Sequence, residues 1–131
     1  MKNRFVTSIA LTALALGGPG VRAATAQASP SVEAQIAIRI TDRMPEEAGS
    51  EFAADVGELF CWSRVTGAEG TTIHHVWIHG ENQYSVALRI DGSPWRTWSS
   101  KVVPAEWTGE WRVEIRDDSG NVLEALTFTV G

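Results

Sequence analysis

The sequence predicts an all-β fold, an immunoglobulin-like antiparallel β-sandwich of about seven strands. From residue 32 onward, short runs of alternating apolar and polar residues follow one another, and turn residues separate them at intervals of about 8–12 residues. Almost none of this sequence has the 3.6-residue period of a helix. A small closed β-barrel is the alternative that the same pattern allows.

The first predicted strand, VEAQIAIRI (residues 32–40), alternates strictly, which places four apolar side chains on one face: Ala34, Ile36, Ile38 and Ile40. The next segment, TDRMPEEAGSEFAADVG (residues 41–57), is polar and is predicted to be a connection with one helical turn after Pro45. ELFCWSRV (residues 58–65) is the second predicted strand, and the turn TGAEG ends it.

Three more strands are predicted at regular spacing. TTIHHVWIH (residues 71–79) is the third, and it ends at a glycine. QYSVALRI (residues 83–90) is the fourth, and its shared face is predicted to carry Tyr84, Val86, Leu88 and Ile90. The Asp-Gly pair that follows is typical of a tight turn, after which WRTWSSKVV (residues 95–103) is the fifth strand.

The last two strands are predicted to form a hairpin. WRVEIRD (residues 111–117) follows a longer crossing, PAEWTGE, and directs three apolar side chains to one face: Trp111, Val113 and Ile115. VLEALTFTV (residues 122–130) follows the turn DSGN, and its inward face is predicted to be Val122, Leu126, Phe128 and Val130.

Residues 1–28 have the pattern of a cleaved export signal. Lys2 and Arg4 precede a mostly apolar run (residues 5–16), and small residues place the cleavage between residues 23 and 28. The run is shorter than the about 20 residues that a membrane span needs. We therefore expect residues 29–131 to form a single β-sandwich domain, periplasmic or secreted, with no membrane span in the mature protein.

Charge and cysteine content narrow the possible partners and bonds. Three of the 11 basic residues leave with the signal and all 16 acidic residues stay, so the mature chain carries a net charge of −8. Such a domain repels nucleic acid phosphates, so nucleic acid is not an expected partner. Cys61 is the only cysteine, which leaves no intramolecular disulfide, and its apolar surroundings predict a buried, unpaired thiol.

All three histidines lie in the third predicted strand, but their spacing does not favour a metal site. His75 and His79 share a face about 13 Å apart, and His74 points to the other face. One ion needs imidazoles two residues apart on a strand, and Trp77 occupies that position. No catalytic arrangement is recognisable either, because the serines of WRTWSSK lack a glycine-framed turn. We expect no metal, no cofactor and no enzymatic activity.

The third and fifth strands carry side chains that are unusual for strand interiors. The binding hypothesis comprises His75, Trp77, Trp95, Arg96, Trp98, Ser99 and Lys101. A core position is the alternative for Trp77 and also for His75, as an imidazole with a buried hydrogen-bond partner. Arg96 either anchors a partner or covers a tryptophan through a cation–π contact, and the sequence leaves both open.

Four segments within residues 59–130 resemble one family: LFCWSRV, HVWIHG, WRTWSSK and GEWRVEIRDDSGNVLEALTFTV. Their order and spacing are similar to those of the family called domain of unknown function 2914. The resemblance implies a small exported β-sandwich module and brings no assigned activity with it.

The sequence thus supports a non-enzymatic accessory module that binds an envelope protein. The alternative is a carbohydrate- or peptidoglycan-binding module that uses exposed tryptophans. In either case the partner is an envelope protein or glycan.

Overall fold

The computed structural model describes residues 30–131, so the predicted signal peptide (residues 1–28) lies outside the described residues. Residues 30–131 form nine strands and no helix, and accordingly contain no helix that could cross a membrane. The strands are β1 Ser31–Thr41, β2 Met44–Ala48, β3 Glu51–Phe52, β4 Gly57–Thr66, β5 Thr72–His79, β6 Asn82–Arg89, β7 Trp95–Val103, β8 Gly109–Arg116 and β9 Val122–Val130.

Two sheets enclose one core, which confirms the predicted all-β, sandwich-like architecture. The four-stranded sheet has the order β2-β1-β4-β7, and the five-stranded sheet has the order β3-β9-β8-β5-β6. Neighbouring strands are antiparallel except for β3, which runs parallel to β9. The core joins side chains of both sheets, including Trp77, Trp111 and Phe128 from one and Leu59 and Val65 from the other.

The seven predicted strands are present with bounds within two residues of the prediction, and β7 and β9 agree at both ends. On β8 the predicted inward face is confirmed, because Trp111, Val113 and Ile115 are all buried. In these strands apolar side chains that face the core alternate with polar side chains that face water. This alternation is the strongest indication of strands in the sequence.

The predicted connection between the first two strands was wrong, because β2 and β3 lie within it and no helical turn follows Pro45. The β1–β2 hairpin turns at Asp42 and Arg43, whose φ angles are 53° and 64°. Thr41 pairs with Met44 across this two-residue loop. Positive φ at both loop residues is typical of a type I′ turn. Asn-Gly is the sequence that usually predicts such a turn, whereas Asp-Arg does not predict it.

Two side chains predicted to lie on the apolar faces of their strands are instead exposed. Val122 is 49% exposed because the β8–β9 register shifts between Val122 and Glu124, and Leu123 packs against the core instead. Tyr84 is 48% exposed near the beginning of β6, an edge strand whose only partner is β5. Both departures arise where pairing is irregular or one-sided.

Cys61 is buried and unpaired, as predicted. Burial raises the pKa of its thiol to about 12, against a smaller opposing effect of a hydrogen bond with Ser63. We expect a thiol reagent at pH 8 to label the native protein far more slowly than the urea-unfolded chain, as followed by intact mass. Rapid labelling of the native protein would contradict the burial of Cys61.

Candidate functional site

A buried imidazole connects the two sheets. His75 lies on the inner face of β5 and has no solvent exposure. Its Nε2 lies 2.8 Å from Ser63 Oγ on β4, and its Nδ1 lies 2.7 Å from Ser99 Oγ on β7. The indole N–H of Trp77, also on β5, donates to the same Ser99 oxygen over 3.1 Å. All three bonds therefore run from the five-stranded to the four-stranded sheet.

One tautomer of His75 is consistent with all three of these hydrogen bonds. Trp77 can only donate, so Ser99 Oγ accepts from it, and the hydroxyl proton of Ser99 is then available to Nδ1 of His75. The ring proton of His75 then resides on Nε2 and is donated to Ser63 Oγ. With this tautomer both ring nitrogens of His75, the indole N–H of Trp77 and both serine oxygens have hydrogen-bond partners.

This environment suits a neutral imidazole and a structural role. Burial lowers the pKa of His75 to about 4. Both ring nitrogens already have partners, so His75 offers no free lone pair to a metal or a substrate. Among residues 30–131, no three His, Cys, Asp or Glu side chains are grouped closely enough to hold a metal ion.

The outer face of the four-stranded sheet has a different character, and we call it the arginine–tryptophan face: Arg43, Trp62, Arg64, Arg96 and Trp98. Trp62 is buried here and donates its indole N–H to the carbonyl of Arg43 over 2.9 Å. The Arg43 guanidinium lies over Trp98, 5.3 Å from the ring centroid. A cavity of about 340 Å³ opens between Trp62, Arg64 and Arg96.

The cation that covers the tryptophans is Arg43, whereas the sequence had offered Arg96 for this contact as one of two alternatives. Arg43 also lies 5.8 Å from the ring of Trp95, at the border of this face, and it donates to the carbonyl of Arg96 over 2.9 Å. The Arg96 side chain contacts the sulfur of Met44 at 3.3 Å. The Arg96 side chain therefore lies beside the open cavity and does not cover a tryptophan of residues 30–131.

The arginines of this face differ from the others in residues 30–131. Those outside it all form ion pairs with carboxylates: Arg39, Arg89, Arg112 and Arg116. Within the part of the chain that the structure describes, Arg43, Arg64 and Arg96 form none. Arg64 and Arg96 are directly opposite each other on β4 and β7, and among residues 30–131 the one carboxylate that lines their cavity is that of Glu33, opposite Arg64 on β1.

The predicted binding residues fall into three places. His75, Trp77 and Ser99 are buried and bond to one another. Arg96 and Trp98 are partly exposed at the arginine–tryptophan face, and Trp95 lies at its border, partly buried against the core. Lys101 lies elsewhere, beside a separate aromatic cavity.

Sequence reasoning missed Arg43 and Arg64 at this site. Arg43 was assigned to a polar connection, and its contacts with β7 arise because the β1–β2 turn reaches across Trp62 on β4. Arg64 could have been found, because it occupies the outward position next to Ser63 in a strand that was correctly predicted.

Residues 70–130 match the family described as protein of unknown function DUF2914. This match confirms the family resemblance that the sequence predicted. The DUF2914 match covers β5 to β9 and begins after the LFCWSRV segment, so it is shorter than the expected region of residues 59–130. No curated protein matches the chain significantly.

Two solved structures are similar to the chain over a small part of their own length. One is an engineered protein from the Northeast Structural Genomics Consortium, with 16% identity, a TM-score of 0.43, and coverage of 92% of this chain and 21% of its own. The other is the β-glucosidase from Listeria innocua in complex with glucose, with 12% identity, a TM-score of 0.39, and coverage of 78% and 16%. The chain therefore spans about a fifth of the first protein and less of the second.

The His75 chain predicts a specific pH dependence of stability. The pKa of His75 is about 4 in the folded protein, against 6.5 for an unperturbed imidazole, so the unfolded chain takes up a proton first as pH falls. The free energy of unfolding should be highest above pH 6.5 and should lose about 3 kcal/mol as pH falls toward 4. Urea unfolding followed by tryptophan fluorescence measures this loss.

His74→Gln is the matched control, because His74 lies on the other face of the same strand and contacts Asp118. This variant should keep the pH dependence between pH 4.5 and 6.5. Ring signals of His75 that titrate near pH 6.5 in the NMR spectrum of the native protein would refute the assignment.

Proposed function

We propose that the protein is an exported, non-enzymatic accessory module that binds an envelope protein through the arginine–tryptophan face. The observation that carries this proposal is the grouping of Arg43, Arg64 and Arg96, without carboxylate partners among residues 30–131, around half-buried and buried tryptophans. The partner it fits presents an acidic segment. Arginine beside tryptophan is also the composition enriched at the energetic centres of protein interfaces.

Local charge makes such a partner compatible with an acidic domain. The mature chain has eight basic and 16 acidic residues, and this face holds three of the eight basic ones. Glu33 on β1 is opposite Arg64, which is opposite Arg96, so one negative and two positive charges form a row across three strands. A partner with the complementary order of charges can pair with this row. Arg43 is held by its contacts with Trp98 and the Arg96 carbonyl, so little side-chain entropy remains to be lost on binding.

We also propose that the sandwich is of the immunoglobulin-like type. Strands β1, β4 and β7 lie in one sheet as strands A, B and E do in that fold, and β5, β8 and β9 lie in the other as C, F and G do. β6 then extends the second sheet next to β5, at the position of C′. The buried Trp77 on β5 takes the place of the tryptophan that such domains carry on strand C.

Export is proposed from the sequence of residues 1–28, with the mature protein in the periplasm or outside the cell. The exported protein should lack its first 23–28 residues, and intact-mass measurement of the secreted or periplasmic form tests this. A mature form that retains residues 5–16 would replace export by membrane anchoring.

The binding proposal predicts a charge-selective response. A tryptophan-free, glutamate-rich peptide should change the intrinsic fluorescence of the protein, and the effect should weaken as salt rises. Arg64→Ala and Arg96→Ala should each weaken binding by about 2 kcal/mol, near 30-fold in Kd, and should leave the melting temperature nearly unchanged.

Two comparisons keep this test specific. A lysine-rich peptide of equal length should not bind, and Arg89→Ala, which removes an exposed arginine paired with Asp91, should bind like the native protein. Equal binding by the native protein and both arginine variants of the face would defeat the proposal. A fall in melting temperature without a change in affinity would instead assign Arg96 to stability.

A further inference from the structure

A second cavity lies at the edge where the β5–β6 turn approaches the β7–β8 connection. Its volume is about 200 Å³, below the range of about 300–1,000 Å³ for sites that enclose drug-sized ligands. The side chains that line its mouth are aromatic, amide or cationic: His79, Asn82, Gln83, Tyr84, Lys101 and Trp107. The buried rings of Trp77 and Trp111 complete its lining.

Trp107 forms a fixed wall of this cavity. Its backbone N–H donates to the Pro104 carbonyl over 2.9 Å, and its own carbonyl accepts the indole N–H of Trp111 over 3.0 Å. His79 stacks on the Trp107 ring with a centroid distance of 5.4 Å and an angle of 12° between the planes. His79 is itself held by its Nε2–H, which donates to the Thr108 carbonyl over 2.8 Å. The aromatic wall is thus in place before any ligand arrives.

Lys101 supplies the charge of the cavity. Its ammonium lies 5.4 Å from the ring centroids of both Tyr84 and Trp107, and it donates to the carbonyl of Val102 over 3.1 Å. Among residues 30–131 it has no carboxylate partner, and no aspartate or glutamate lines the cavity, although the chain has 16 of them. The positive charge of Lys101 is therefore not neutralised within the cavity, which favours a ligand with a negative charge.

We propose that this cavity binds a single pyranose ring that carries a carboxylate, as in a hexuronic acid residue of a polysaccharide. The apolar face of the sugar packs against the face of Trp107 that His79 does not cover, on the side of the Lys101 ammonium, as sugar rings do on flat aromatic surfaces. Asn82 and Gln83 offer amide donors and acceptors to the hydroxyl groups. The ammonium of Lys101 pairs with the carboxylate in a charge-assisted hydrogen bond, and the size of the cavity limits the contact to one ring.

This site is independent of the arginine–tryptophan face, because Lys101 and Arg96 project from opposite sides of β7. The test is calorimetric titration with trimers of galacturonate, mannuronate and glucuronate, and with the neutral trimers of galactose, mannose and glucose. At least one uronate trimer should bind about tenfold more tightly than its neutral counterpart. Lys101→Met keeps the aliphatic stem and should abolish this preference.

Tyr84→Ala tests the aromatic wall at an exposed position, so that folding is not at risk, and should weaken uronate binding severalfold. Arg89→Met removes an equal charge elsewhere and should bind uronates like the native protein. Absence of uronate binding, equal binding of neutral and acidic trimers, or uronate binding unchanged in Lys101→Met would each overturn the proposal. None of these results affects binding of a glutamate-rich peptide, so the two proposals fail separately.

Discussion

The imidazole of His75 holds the two sheets in one relative position. Hydrogen bonds are directional, and a buried donor or acceptor without a partner costs about 1–3 kcal/mol. Ser63 and Ser99 must therefore lie on either side of the ring, which couples the placement of β4 and β7 to that of β5. Apolar packing alone would tolerate small shifts of one sheet relative to the other, whereas the hydrogen bonds of His75 would be broken by such shifts. The surrounding tryptophans and aliphatic side chains then fill a space whose dimensions are already set.

Strand β7 shows how one segment can serve the core and the surface together. Ser99 reaches inward to His75 and Trp77, while Arg96 and Trp98 project from the other side of the strand. Lys101 leans toward the aromatic rings at the sheet edge. Because the inward residues fix the register of β7, they also fix the spacing between both candidate binding surfaces. Changes in the core would therefore be transmitted to ligand contacts without any residue of those contacts being altered.

The sequence was most informative where burial alternates along regular pairs. Strands β4 to β9 follow from period-two patterns and turn residues, and Trp111 and Cys61 were correctly placed in the core. It was least informative where geometry depends on distant partners. In the part of the chain that the structure describes, the two-residue strand β3 pairs only with β9, and the β1–β2 turn places Arg43 at positive φ, a conformation that arginine rarely adopts.

The candidate sites show the same division. Trp95, Arg96 and Trp98 were singled out because their residue types are unusual in a strand. Arg96 and Trp98 do share a surface, and Trp95 lies at its border, partly buried against the core. Trp107 was overlooked because it lies in a segment that looked like a simple crossing. Its role depends on the stacking of His79, which is 28 positions away in the chain but adjacent in space. Residue type identifies candidates, and only the pairing of strands identifies their neighbours.

The absence of a covalent link between the sheets has a consequence for biogenesis. Many small extracellular domains are cross-linked by disulfides and so depend on an oxidant and on correct thiol pairing to reach the native state. Here the single thiol of Cys61 is buried, and hydrogen bonds among serine hydroxyls, an imidazole and an indole connect the two sheets instead. Maturation of this domain is thereby uncoupled from the redox poise of its surroundings, and the same native structure is accessible under reducing and oxidising conditions alike.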